Sequence, residues 1–358
     1  MIVPTNSTFT PDQFERARRY HRPLYVAFAL ELAVGLVVLT LLAAFADWRI
    51  GPWWLAGAVS AGAAVGLVAV ARLPVDFWRG YLYERRWGFS TQSVAGWAAD
   101  VLKQLLISCV LAAVAVVGLV ALARAFPRWW PAIAAPGAAL LVLVLGLVAP
   151  LVLEPLFNRF APLGDRELAD ELRALAQRAG VPVRDVLVAD ASRRTRKVNA
   201  YVSGLGATRR VVLFDTLLER SQPRELKLVV AHELGHRRAR HVAKGTALGM
   251  LGTAGLVLVL WVVLEDPRDP TVAPLVLLVA ALLELVFLPL GTWLSRRWER
   301  QADGFSLELT RDREAFETAH RELALANLSD LDPPRWLYAL LFTHPTAPER
   351  IAAARSTL

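Results

Sequence analysis

The pentapeptide His232-Glu233-Leu234-Gly235-His236 places two imidazoles and a carboxylate where they could do metal chemistry. On a helix the histidines stand one turn apart on one face, able to grip a single zinc ion, and Glu233 lies beside that face. Three protein ligands leave a fourth position for water; the metal lowers the pKa of that water to about 7, and an adjacent carboxylate can take its proton. The five residues alone recur often by chance, so a third ligand is needed. One known spacing would put a glycine at 239 and a histidine at 242, but the chain has Ala239 and Val242. His241, one position off, is expected to be a solvated or interfacial side chain. The other arrangement draws a glutamate from a later helix. In Glu299-Arg-Gln-Ala-Asp303 two carboxylates four residues apart share a helical face, so one can bind metal while the other holds a ligand imidazole.

The elements that must position these groups include membrane spans. Of 358 residues 55% are hydrophobic, and the mean hydropathy is +0.41, too apolar for a soluble domain or a disordered chain. Six apolar runs, at 24–46, 53–71, 104–123, 129–153, 245–264 and 272–294, approach the roughly 20 residues that cross a bilayer as helices. The first ends in Ala44-Phe45-Ala46, like a signal-peptide cleavage site, but its apolar part is too long and predicts an uncleaved anchor. The net charge of +8 is spread between uncharged runs, which argues against nucleic acid. Cys109, alone, excludes an intramolecular disulfide and a thiolate metal cluster.

Basic residues collect at the N-terminus, between the second and third spans, after the fourth and at the C-terminus, whereas the Glu265–Asp269 loop is acidic. The positive-inside rule then puts both termini in the cytoplasm of a multi-pass protein of the plasma (inner) membrane. The expected organisation is a membrane region at 1–156 with four spans, a cytoplasmic domain at 157–244 that carries the paired histidines, a membrane hairpin at 245–294, and a cytoplasmic part at 295–358 that completes the site. Within the polar block, Asp165 should cap a helix that ends at Gly180. Val186–Val188, Asn199–Val202 and Val211–Phe214 should be strands, the last two joined by a turn through Gly204 and Gly206, and Pro223–His241 one helix. The fold class is therefore mainly α, with about six transmembrane helices and a cytoplasmic α+β metallopeptidase domain. Two spans between His236 and Glu299 return the chain to its starting side, so the candidate ligands meet at the cytoplasmic membrane surface.

With these motifs in place the sequence resembles the type I CAAX prenyl endopeptidases, integral-membrane zinc metallopeptidases with a glutamate third ligand. The resemblance extends to Glu84-Arg-Arg-Trp-Gly-Phe-Ser-Thr-Gln92, Glu154-Pro-Leu-Phe-Asn158, Asn199-Ala-Tyr201, Val211-Val-Leu-Phe-Asp215, and Thr343-His-Pro345 with Arg350. Residues 1 to 70 carry little of it, and six spans against seven in the eukaryotic members suggest one N-terminal span fewer. It implies one zinc ion per chain on His232, His236 and Glu299, with Glu233 as general base and Asp303 orienting a ligand histidine or aiding proton transfer. It further implies that His344 stabilises the oxyanion and that Asn199 and Arg350 hold substrate. Asn199 also begins an expected edge strand, which could pair with an extended peptide.

The implied activity is hydrolysis of peptide bonds near the C-terminus of lipid-modified proteins, with membrane lipids as the surroundings. The Arg-over-Lys bias suggests a GC-rich bacterium, which leaves turnover of membrane proteins as an alternative. A catalytically silent transporter or scaffold fits less well, because structural zinc sites usually fill all four positions with protein ligands. Glu31 and Glu284, inside spans, should face inward. The run Arg193, Arg194, Arg196 and Lys197 should meet anionic headgroups.

Overall fold

The structure is a computed structural model and describes residues 8–204 and 206–356, apart from the side chain of Ala207. Among the described residues six helices are long and apolar enough to cross a membrane. Four come first: α1 (Pro11–Phe45), α2 (Trp53–Phe77), α3 (Val94–Ala125) and α4 (Trp130–Phe157). A capping box between Thr10 and Gln13 starts α1, and the Ser93 hydroxyl caps α3. Val26, Leu30, Val37 and Leu41 on α1 point outward, an exposure that suits hydrocarbon rather than water. Beyond α2 the chain makes a π-helical turn, Trp78–Tyr83, that buries Tyr81 and Tyr83.

The polar chain then forms β1 (Phe160–Pro162), α5 (Arg166–Arg178), β2 (Asp185–Ala189), β3 (Ala200–Ser203) and β4 (Arg210–Phe214). The sheet order is β1-β2-β4-β3; β2 and β4 are parallel and the two outer pairs antiparallel. Asp165 caps α5 through the Leu168 N–H, and Gly180, with φ of 67°, turns the chain after it. Leu172, Leu175, Leu213, Val230 and Leu234 lie in the core between the sheet and its helices. β3 is an edge strand, as expected, and the hairpin turn holds Gly204 and Gly206 at positive φ. The short β1, ending in proline, gave no periodic signal.

Next come α6 (Pro223–Arg238), α7 (His241–Val263) and α8 (Ala273–Thr310), then α9 (Arg313–Ala326), α10 (Arg335–Leu341) and α11 (Ala347–Ser356). The single helix expected over Pro223–His241 is two: Arg240 adopts a left-handed conformation with φ of 57°, which redirects the chain from the sheet into the membrane bundle. By contrast α8 continues unbroken from its apolar half through Glu299 and Asp303.

Polar contacts join the two halves. Glu84 accepts from the Tyr20 hydroxyl of α1 and pairs with Lys197 at 2.8 Å. Glu154, at the end of α4, accepts from Ser203 Oγ at 2.8 Å and from Arg210 at 3.0 Å, fixing the β3–β4 hairpin against the membrane helices. Arg194 pairs with Asp100 at 3.1 Å and Arg193 with Asp190 at 3.3 Å. Three residues of the basic run thus pair with the protein's own carboxylates, while Arg193 and Arg196 are exposed. Glu31 does face inward, buried, with Arg79 at 3.0 Å and Arg72 at 3.4 Å, whereas Glu284 is exposed.

α6 crosses α8 at Gly235. A Cβ there would lie 3.1 Å from Ala302 Cα and 3.1 Å from Phe305 Cδ1, and backbone cannot yield as a flexible side chain can. Gly235→Ala should destabilise by ~1–3 kcal/mol through overpacking, despite the better helix propensity of alanine. Gly304→Ala, exposed on α8 with nothing within 4 Å, should be neutral or stabilising. Thermal unfolding in detergent checks the pair; equal midpoints for both variants would contradict the close approach.

Candidate metal centre

His232 and His236 stand on α6, and Glu299 reaches them from α8. His232 Nε2 is 3.1 Å from His236 Nε2 and 3.2 Å from Glu299 Oε2, and His236 Nε2 is 3.2 Å from Glu299 Oε1. These three side chains form a group able to hold one metal ion. Ligands about 2.0–2.2 Å from one ion at tetrahedral angles stand about 3.3 Å apart, which matches this spacing. Buried Glu299 Oε2 has no hydrogen-bond partner, so electron pairs converge on a point where a cation belongs.

Supporting contacts fix the candidate ligands. His232 Nδ1 donates to Asp303 Oδ1 at 2.9 Å, leaving Nε2 for metal. Arg350 Nε donates to Asp303 Oδ2 at 2.8 Å, and its Nη2 reaches Oδ1. The guanidinium expected to hold substrate is therefore largely committed to Asp303. Burial works to raise the Asp303 pKa, but the charge of Arg350 outweighs it and holds the carboxyl well below the usual range. For His232 burial disfavours the charged form, yet Asp303 and Glu299 push its pKa up to about 9: a site between two carboxylates asks for positive charge. Burial likewise works against ionised Glu299, and the adjacent His232 and His236 imidazoles overcome it, so its pKa falls. Glu233 moves the other way, raised by burial and only partly restrained by the two imidazoles, which suits a proton acceptor.

A cavity of about 550 Å³ opens onto these groups. His232, Glu233, Asn199, His344 and Arg350 line it, so every candidate site residue except His236, Glu299 and Asp303 faces one space. His344 comes from the turn between α10 and α11, with Nε2 3.3 Å from Glu299 Oε1 and Nδ1 2.8 Å from Thr343 Oγ1. Asn199 sits at the start of β3 and is held there by a residue the motifs did not indicate. Asn327 accepts from Val198 N–H at 2.9 Å and donates to Val198 O at 3.0 Å. His21 and Tyr25 of α1, with Asp330, close the far wall; Tyr25 donates to Asp330 at 2.5 Å.

Two further histidines lie beside the site, and one departs from the sequence reading. His241 is buried, not solvated, with Nδ1 3.1 Å from His236 Nδ1, because the break at Arg240 folds it back against the site. His320, buried on the apolar face of α9, lies 3.7 Å from Asp303 Oδ1. Burial and then the Arg350 charge lower its pKa to about 4. The only signal for it was a histidine within an apolar stripe, which usually marks core.

Residues 162–358 match the family described as peptidase family M48, and residues 4–159 the family described as CAAX prenyl protease N-terminal, five membrane helices. The chain belongs to peptidase family M48 and is a multi-pass membrane metalloendopeptidase. It is similar to the uncharacterized metalloprotease YhfN of Bacillus subtilis (strain 168), with 32% identity over 301 residues, 80% of this chain and 70% of that protein. With CAAX prenyl protease 1 of Saccharomyces cerevisiae it shares 30% identity over 196 residues, 54% of this chain and 43% of that one. The fold matches the crystal structure of S. mikatae Ste24p with a TM-score of 0.83 and 21% identity, covering 99% of this chain and 91% of that one. Over the stretch matched by the five-helix family, the described residues form the four long helices α1 to α4.

The pairing of Arg350 with Asp303 predicts a coupling. Arg350→Ala leaves a buried carboxylate uncompensated and should cost roughly 3–5 kcal/mol. The double variant Arg350→Ala/Asp303→Ala should cost clearly less than the sum of the singles. Denaturation midpoints of the four proteins check this, and strict additivity would rule the coupling out.

Proposed function

We propose that the protein is a zinc-dependent endopeptidase that cuts lipid-modified proteins near their C-terminus at the cytoplasmic face of the plasma membrane. The observation that carries the zinc reading is the convergence of two imidazole nitrogens and one carboxylate at tetrahedral spacing, beside a half-buried glutamate that is not among the candidate ligands. A bound zinc ion would act as a Lewis acid and lower the pKa of its water. Glu233 then receives the proton of the attacking water, and Asp303 holds His232 in the tautomer that leaves Nε2 free.

The substrate is proposed to add to β3 as an extra strand. Phe214 N–H donates to Asn199 O, so Tyr201 pairs inward with Val212, and Ala200 and Val202 direct their backbone groups to the open edge. Arg237 occupies the Val202 carbonyl, which leaves the Ala200 C=O and Val202 N–H beside the Asn199 amide for one peptide segment. The Thr343 hydroxyl, donating to His344 Nδ1, leaves Nε2–H as a donor to the oxyanion. Arg350 keeps Nη1 for a substrate carbonyl. The lipid preference is supported by the cavity wall from α1: a substrate anchored beside that helix enters already held in two dimensions.

The deciding assay compares a farnesylated C-terminal peptide with the same peptide lacking the lipid, using the zinc-loaded protein in vesicles. The prenylated peptide should be cleaved at least about tenfold more efficiently. Glu233→Gln should keep zinc and lose turnover by several orders of magnitude, whereas His232→Ala loses both. His344→Ala should keep zinc and lower kcat by roughly 10²-fold with KM little changed. Equal cleavage of the two peptides would remove the lipid preference; normal cleavage by Glu233→Gln would remove the mechanism.

Orientation is tested separately. The short connections at 46–52, 126–129 and 264–272 belong to one end of the bundle, where Arg49 pairs with Asp269 at 2.8 Å and Arg124 donates to the Arg268 carbonyl at 3.3 Å. In a Cys109→Ser background, a cysteine at position 266 should react with an impermeant thiol reagent in intact cells and one at position 167 should not. Equal labelling would contradict the proposed topology.

A further inference from the structure

The second ligand histidine has a support that differs from the first. His236 turns Nδ1 not to a carboxylate but to His241, at 3.1 Å. The His241 ring is buried and stacked on Trp298, with centroids 5.0 Å apart and planes 9° from parallel, so it has little freedom to turn. Its Nε2 lies 2.9 Å from Gln301 Oε1. Trp298 and Gln301 flank Glu299 on α8, so the helix that supplies the third ligand also holds this support.

We propose that Gln301 and His241 form a positioning relay that fixes His236 in the tautomer whose Nε2 electron pair faces the metal. A carbonyl oxygen only accepts, so His241 carries its hydrogen on Nε2 and donates it to Gln301. His241 Nδ1 is then an acceptor, and His236 must donate to it from Nδ1. That leaves His236 Nε2 bare, 3.2 Å from Glu299 Oε1, where a ligand atom is required. Rotating the Gln301 amide by half a turn reverses every step: its NH₂ donates to His241, His241 donates to His236, and the hydrogen moves to His236 Nε2, which can no longer bind. The acceptor end of one exposed amide therefore sets the chemistry of a ligand two hydrogen bonds away. Gln301 and His241 are positioning residues that need not touch substrate.

The relay rests on the assignment of His236 as a ligand, and the test separates the two. Zinc affinity of the full-length protein in detergent is measured by competition with a chromophoric chelator, and the cobalt-loaded protein gives a ligand-field spectrum. Gln301 is exposed on α8, so its substitution leaves the core intact. Gln301→Leu and Gln301→Lys should raise the zinc dissociation constant by about 10-fold or more, within the ~10 to 100-fold range for lost outer-sphere partners. Gln301→Glu, which keeps an acceptor, should stay within roughly threefold of wild type and keep the cobalt spectrum. A lysine variant that binds like wild type, or a glutamate variant weakened as much as the leucine variant, would overturn the relay. His236→Ala serves as the control: if it retains wild-type affinity the ligand assignment itself fails, whereas lost affinity there with no effect at Gln301 sinks the relay alone.

Discussion

Two helices can hold one metal ion only if their backbones approach until short side chains from both reach the same point. Here that constraint falls on the crossing of α6 and α8, where Gly235 lies against the backbone of Ala302. Helix axes usually pack 8–10 Å apart according to the side chains between them, and a glycine permits the near end of that range. The central residue of the contact lies between His232 and His236 on one helix and between Glu299 and Asp303 on the other. Packing and ligation are one feature: any side chain added at 235 moves the two imidazoles away from the carboxylate.

The membrane helices follow from the same constraint. After α6 the chain leaves through α7 and returns in α8, so the candidate third ligand arrives on a helix whose other half is anchored in the bilayer. The polar half would pivot about that anchor without further attachment. Glu84 and Glu154 supply it, the first joining α1 to the loop before β3, the second joining α4 to the β3–β4 hairpin. The consequence is that the edge strand, the ligands and α1 bound one cavity, with His21 and Tyr25 brought to it from a membrane helix. Asn327 completes the placement by taking both backbone groups of Val198, next to Asn199.

Features with strong periodicity or fixed spacing could be foreseen. The spans follow from hydropathy, the paired histidines from the helical turn, and the candidate third ligand from the parity of a hairpin that returns Glu299 to its starting side. The β3 edge followed from a short β-rich run bounded by Asn199 and two glycines. What escaped depends on single backbone torsions or on partners distant in sequence. Nothing in Arg-Arg-Ala-Arg-His241 announces that Arg240 turns left-handed, yet that residue changes His241 from an interfacial side chain into a buried neighbour of a ligand. The run Arg193 to Lys197 resembles a headgroup site until Asp100, Asp190 and Glu84 are seen beside it. Arg350 could be matched to a motif, but its bond to Asp303 joins residues 47 apart and carries no local pattern.

The unlike supports of the two candidate ligand histidines follow from charge. A buried site tolerates little net charge, because low dielectric magnifies every imbalance. A divalent ion held there would, together with Arg350, offset the carboxylates of Glu233, Glu299 and Asp303, so the set would be neutral with Glu233 ionised. A carboxylate behind His236, matching Asp303 behind His232, would tip that balance and require a second buried cation. An imidazole backed by a carboxamide gives the same hydrogen-bond direction without charge. The same accounting explains why Asp303 comes with Arg350 attached: the carboxylate polarises His232 while the guanidinium removes its charge from the sum. Each histidine is oriented by a partner that leaves the site neutral, and in the proposed reaction Glu233 is the group whose charge would change when a proton is taken from water.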